Sequence, residues 1–154
     1  MPSKSVKTNA AHVISLPCMC ANLRRAARVV TQLYDEALRP SGLRVAQFTL
    51  LQALHMAPGI SQKRLAGLLG VDSTTLTRTL SSLRRKGWLN AEAGSDRREL
   101  RLGITKAGLE EYKRVLPYWN AAQRRLKKQL GDANWDKISD AAIRVTAVAT
   151  SREE

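Results

Sequence analysis

The segment Leu69-Gly-Val-Asp72 leaves room for only a tight turn between two stretches of helical periodicity, and that junction limits what the chain can become. Before it, Ser61 is a good helix cap, and Leu65, Ala66, Leu68 and Leu69 give an apolar side to a short helix over 62–69 that Gly70 allows to stop. After it, Leu76, Leu80 and Leu83 recur at helical spacing, so one narrow stripe faces a core while the rest of the circumference stays outside. At about 100° per residue, Thr74, Arg78, Ser81 and Arg85 fall opposite that stripe, with Thr77 and Ser82 beside them and Ser73 and Thr75 at the helix start. Two helices joined by so short a glycine-containing turn, the second with a hydroxylated and cationic outer face, form a helix-turn-helix. Small side chains let such a helix approach the floor of a DNA major groove, where Arg meets base edges and phosphates. The plainer alternative is a solvated face on an ordinary amphipathic helix.

The segment after this helix decides between them. Past Gly87 the apolar period changes from helical to alternating: Leu100, Leu102 and Ile104 take turns with Arg101 and Gly103, and residues 88–93 supply an antiparallel partner. The intervening Gly94-Ser-Asp-Arg-Arg98 is a polar tip with two adjacent arginines. A β-hairpin with a basic tip directly after a helix-turn-helix is a wing, and Arg97 and Arg98 suit the negative potential of a narrow minor groove. Asp96 is expected to pair with a nearby arginine and fix the loop. The balance of 26 Lys+Arg against 13 Asp+Glu, a formal net charge of +13, agrees with a phosphate-rich partner.

Outside this unit the chain is helical. A long first helix begins near 15–17 and ends at Pro40-Ser-Gly42; Cys20, Leu23, Ala27, Val30, Tyr34, Ala37 and Leu38 trace one of its faces. A second helix, about 44–56, turns Phe48, Leu51 and Leu54 or His55 inward. Thr105 caps a further helix with Leu109, Tyr112, Leu116 and Trp119 inward, which Pro117 is expected to kink or divide. Gly131-Asp132 then stops it and opens a last helix carrying Trp135, Ile138, Ala142 and Val145 on one side. The terminal helices have apolar faces that need a partner, and a second copy of the chain fits that need. The whole, residues 1–154, reads as one domain: mainly α with a small β-hairpin wing, a winged helix-turn-helix over about 43–104, and dimerisation helices over about 15–40 and 105–150.

These residues in this order resemble the multiple antibiotic resistance regulator (MarR) family of bacterial transcription factors, from about residue 23 to 148. The motifs that carry the resemblance are Ser61-Gln-Lys-Arg-Leu-Ala66, Leu69-Gly-Val-Asp72, Thr75-Leu-Thr-Arg78, Leu83-Arg-Arg-Lys-Gly-Trp88, and the run from Asp96-Arg-Arg98 through Leu102-Gly-Ile-Thr105 to Gly108. The resemblance implies a homodimer, two winged lobes on a pseudo-palindromic operator of double-stranded DNA, and a ligand or thiol oxidation that changes the distance between the lobes. Pro117 and the pair Cys18 and Cys20 depart from the family's common pattern, and both lie in the dimerisation and sensing part.

Cys18 and Cys20 are too few and too close for the disulfide framework of a secreted protein, and two residues apart in a helix they point about 200° away from each other. One reading makes them small apolar residues in a dimer interface. The other notes a helix start close to Arg24 and Arg25, a setting that promotes thiol chemistry, and makes them a redox site or the ligands of a soft metal or metalloid. Arg24, Arg25 and Arg28 likewise either line a pocket for a small anionic aromatic effector or keep a long helix soluble. No apolar run approaches the roughly 18–20 residues of a membrane span, so the expectation is a cytoplasmic protein with no membrane partner. There is no glycine-rich phosphate loop, no paired-carboxylate constellation and no metal-spaced His/Cys cluster, and His12 and His55 lack catalytic neighbours. The sequence therefore predicts no enzyme and no cofactor. It predicts a dimeric, sequence-specific transcriptional regulator, a repressor relieved by a small aromatic ligand or by cysteine modification. The alternative is a basic nucleoid-type or membrane-surface protein that binds by charge without sequence readout.

Overall fold

The computed structural model describes residues 16–94 and 100–150. Helix α1 spans Met19–Leu38 and ends in a single 3-10 turn over Arg39–Ser41; α2 is Val45–Met56, β1 Ile60–Ser61, α3 Gln62–Leu69 and α4 Ser73–Arg85. Strands β2 (Leu89–Ala93) and β3 (Leu100–Ile104) come next, then α5 (Lys106–Leu130) and α6 (Asp132–Thr150). The sheet order is β1-β3-β2, all antiparallel, with Leu102 opposite Ile60 on one side and Ala91 on the other.

Local chemistry fixes most of these boundaries. The Ser61 hydroxyl accepts from the Arg64 N–H, Asp72 from the Thr75 N–H and Thr105 from the Gly108 N–H, so α3, α4 and α5 each start on a side-chain cap. Gly70, at φ 61°, supplies the left-handed residue that ends α3 and leaves two residues before α4. From α1, Asp35 accepts the Val45 N–H at 2.7 Å and an Arg44 Nη1 bond at 3.0 Å, which ties the start of α2 to the first helix.

The core is one cluster in which Phe48, Leu51 and Leu54 of α2 meet Leu65 of α3, Leu76 and Leu83 of α4, Leu102 of β3 and Val115 of α5. Phe48 stacks on Tyr112 and Trp119 with ring centroids 5.4 and 5.7 Å apart, joining the lobe to α5. Arg114 of α5 donates to the Ser41 carbonyl at 2.8 Å and to Glu111, which holds the α1–α2 turn against the same helix.

One expectation needs correction and two are narrowed to one of their alternatives. Leu68 is 63% exposed. The inward stripe of α3 is Leu65, Ala66 and Leu69, and Leu68 lies about 100° around the helix from its centre. Of the two effects expected of Pro117, a kink or a division, the division does not occur: α5 runs unbroken for 25 residues. Pro117 and Lys113, whose carbonyl loses its donor, are both exposed, so the missing bond falls on the solvent side of the helix. Of the alternatives Leu54 and His55, Leu54 is the one turned inward; His55 is exposed, with its ring 5.2 Å from that of Tyr112. Helix α6 has no buried residue; Ile138 and Ile143 of α6 and Leu23 and Val29 of α1 are exposed apolar side chains in the single chain.

Candidate nucleic-acid interface

Helix α4 is sorted by its own periodicity. Leu76, Leu80 and Leu83 are buried, while Ser73, Thr74, Thr77, Arg78, Ser81 and Arg85 are exposed. Ser73, Thr74, Thr77 and Arg78 line one shallow depression on the outer face. Two bonds trim that face: Gln62 of α3 donates to the Thr77 hydroxyl at 3.0 Å, and Ser81 donates to the Thr77 carbonyl at 2.8 Å. Gln62 thus belongs to the same face although its sequence position, one residue after a helix cap, gave no reason to single it out. On the other flank Gln47 of α2 donates to Ser82 at 3.2 Å.

Thr75 is turned differently from its neighbours. Its N–H and hydroxyl both donate to Asp72, at 2.8 and 2.6 Å, and these bonds hold the Asp72 carboxyl below the usual carboxylate range. The same residue lines a cleft of about 520 Å3 on the opposite flank of α4. Val30, Thr31 and Tyr34 of α1 form one wall, Val45, Thr49 and Leu50 of α2 a second, Thr75 and Thr79 of α4 a third, and Trp119 and Gln123 of α5 close it. Tyr34 donates a hydrogen bond to Gln123 across the cleft, and burial pushes the Tyr34 hydroxyl above its ordinary pKa.

The wing strands pair in register from Leu89 opposite Ile104 to Ala93 opposite Leu100. The hairpin predicted from alternation is present, and β1 adds a third strand that a two-residue segment between Gly59 and a helix cap did not advertise. The tip residues Asp96, Arg97 and Arg98 lie outside the described residues. The base of the wing is locked to α5: the Thr105 hydroxyl donates to the Gly87 carbonyl at 2.7 Å, and a Cβ at Gly108 would sit 2.2 Å from the Trp88 carbonyl oxygen.

Cys18 and Cys20 are free and exposed, and with Ala21, Arg24, Arg25 and Arg28 they line a depression of about 380 Å3. Cys18 is the residue before α1, in extended conformation at φ −88° and ψ 114°, and only Cys20 is helical. The opposed directions expected for two helical cysteines therefore do not apply, and both thiols border the same depression. The three arginines belong to this depression and not to the cleft between α1 and α4. No helix among the described residues is long and apolar enough to cross a membrane.

Comparison with known proteins gives a consistent result. A family model described as MarR family matches residues 41–99, from the turn before α2 into the wing. The HTH-type transcriptional regulator YwoH of Bacillus subtilis strain 168 is 30% identical over 93 residues, which are 60% of this chain and 68% of that protein. The Mycobacterium tuberculosis transcriptional regulator MosR, in a crystal structure with DNA, is 35% identical and superposes with a TM-score of 0.77 over 86% of this chain and 96% of its own. CouR of Rhodococcus jostii RHA1, solved with p-coumaroyl-CoA, covers 89% of this chain and 96% of its own at a TM-score of 0.75; at 20% identity that likeness is one of fold.

Proposed function

The chain belongs to the MarR family of transcriptional regulators, and from that premise we propose that it works as a homodimer whose two α4 helices read a pseudo-palindromic operator as a repressor. The observation that carries this reading is the division of α4, with three leucines buried in the lobe core and Thr74, Thr77, Arg78 and Ser81 open on the far side. Ser73 and Arg85 extend the contact along the helix, Thr75 supports it from the cap, and Arg97 and Arg98 enter the minor groove with Asp96 as their loop anchor. Residues of about 15–40 and 105–150 form the dimer body, a role supported by the uncovered apolar side chains of α1 and α6. Residues of about 43–104 form the DNA-binding lobe.

Relief comes from one of two places: a small aromatic molecule in the cleft that α4 shares with α1, α2 and α5, or modification of Cys18 and Cys20 by an oxidant or a soft metal or metalloid. Either acts only by holding one lobe spacing in preference to the other. The test of the reading is competition of an operator fragment against bulk DNA at physiological salt. A specific regulator keeps a ratio of about 10³ or more. A ratio near one would assign the chain instead to charge-driven binding of nucleoid or membrane-surface type, with the net charge of +13 as its only determinant.

A further inference from the structure

We infer that the cleft between α1, α2, α4 and α5 takes an uncharged, mainly apolar aromatic molecule and rejects the corresponding carboxylate. The inference rests on the reading of that cleft as the effector site and names the class of molecule it selects.

The chemistry of the lining makes this selection. At about 520 Å3 the cleft falls within the roughly 300–1,000 Å3 range of small-molecule sites. Val45, Leu50, Leu69, Val71 and Trp119 give it apolar walls of the kind that hold a ring system. Its polar groups are all neutral: the hydroxyls of Thr31, Tyr34, Thr49, Thr75 and Thr79 and the carboxamides of Gln52 and Gln123. Among the described residues of the single chain, no arginine, lysine or histidine lines it, and no aspartate or glutamate.

Several of those polar groups are already engaged. Thr75 gives its hydroxyl hydrogen to Asp72, Thr79 gives its own to the Thr75 carbonyl, and Tyr34 gives its own to Gln123. Because burial holds the Tyr34 hydroxyl above its ordinary pKa, it stays neutral and protonated at physiological pH. What remains for a ligand is one carboxamide nitrogen at Gln123, the carboxamide of Gln52 and the hydroxyls of Thr31 and Thr49, enough to orient a carbonyl or a phenolic group. A carboxylate placed there gives up its hydration with no cation in return, which disfavours the charged form strongly. The guanidinium groups on the same helix, Arg24, Arg25 and Arg28, border the depression that also holds the two cysteines. They lie at the start of α1, whereas the cleft begins at Val30. An anion drawn to the surface by the protein's charge therefore meets its partners elsewhere.

A matched pair of probes tests this: naphthalene-2-carboxamide and naphthalene-2-carboxylate, titrated at pH 7.5 and about 150 mM salt into the full-length protein by calorimetry. Sedimentation is followed in parallel. The expected result is that the amide binds at least about tenfold more tightly than the acid, a difference of about 1.4 kcal/mol, and that the amide alone lowers operator affinity. Ala46→Trp, which fills the mouth of the cleft, should weaken the amide at least tenfold. Thr31→Lys, at an exposed position on α1, should invert the preference in favour of the acid, and it serves as the decisive variant should the bulkier one fail to fold. Equal or tighter binding of the acid, lost in Ala46→Trp, overturns the charge selection while leaving the cleft as the effector site. Binding of neither probe below about 1 mM overturns the effector reading and the inference with it. A change of oligomeric state in Ala46→Trp without a change in probe affinity makes the cleft a contact between copies of the chain, and overturns both.

Discussion

At the residue scale, Asp72 and Arg78 divide the work of α4 between order and recognition. The Asp72 carboxylate is held by the hydroxyl and N–H of Thr75, which depresses its pKa. The native state therefore binds that proton less readily than the unfolded chain, and the stabilisation is complete above the ordinary aspartate value of about 3.9 and lost as pH falls through the native one. Asn at this position imitates the protonated acid. Asp72→Asn should lower the thermal midpoint at pH 7, and the gap to the parent protein should close toward pH 3; a gap independent of pH would show that the charge is irrelevant to the cap. Arg78 stands exposed beside Thr74 and Thr77 with no side-chain bond among the described residues. Arg78→Ala is expected to cost about 1–3 kcal/mol per half-site and to relax base preference. Arg85→Ala, toward the end of the helix, should weaken all sequences alike and reduce the salt slope by about one. Fluorescence anisotropy on operator and scrambled duplexes at three salt concentrations separates the two, and identical behaviour of both variants would misplace the helix in the groove.

At the scale of elements, what was legible in the sequence is what depends on near neighbours. Ser61 and Thr105 announce helix starts because a cap reaches only two or three residues along the chain, and the alternation at Leu100, Leu102 and Ile104 announces a strand because its face is set locally. Strand β1 was illegible because two residues become a strand only by lying against β3, forty positions away. Whether Pro117 would divide α5 was undecided for a related reason: its effect depends on which side of the helix faces water, a property of the packed molecule. The outer face of α4 was readable, yet the cleft on its flank was not, since its walls come from five helices and a turn, scattered from Val30 to Gln123. Gly108 shows how closely one junction is drawn. A methyl there would lie 2.2 Å from the Trp88 carbonyl and 2.9 Å from Ile104 Cγ1, so α5 could not keep its seat against the wing. Gly108→Ala should destabilise the fold by about 1–3 kcal/mol in urea denaturation. An unchanged midpoint would mean that the junction yields without strain.

At the scale of the whole molecule, the uncovered faces of α1 and α6 call for a second chain, and sedimentation at micromolar concentration should find a dimer. If the proposed thiol switch operates, the cysteines at the start of α1 act on the dimer body and not on the reading helix. On that reading an oxidant or a soft thiophilic ion weakens operator binding, and Cys18→Ser or Cys20→Ser abolishes the response while leaving reduced-state binding intact. Variants that respond like the parent in a gel-shift assay would make the thiols bystanders. The cleft has a different logic, because Thr75 and Thr79 are at once part of its wall and part of α4. Coupling between two binding events is reciprocal: a ligand that weakens the operator tenfold is itself held tenfold less tightly by protein already on DNA. For an effector of the proposed kind, the unbound fraction of the regulator would be the more sensitive detector, and the operator-bound fraction tenfold less so. The dose at which a cell responds then depends on how many copies it holds relative to its binding sites, and raising that number sharpens detection of the ligand while making the promoter harder to release.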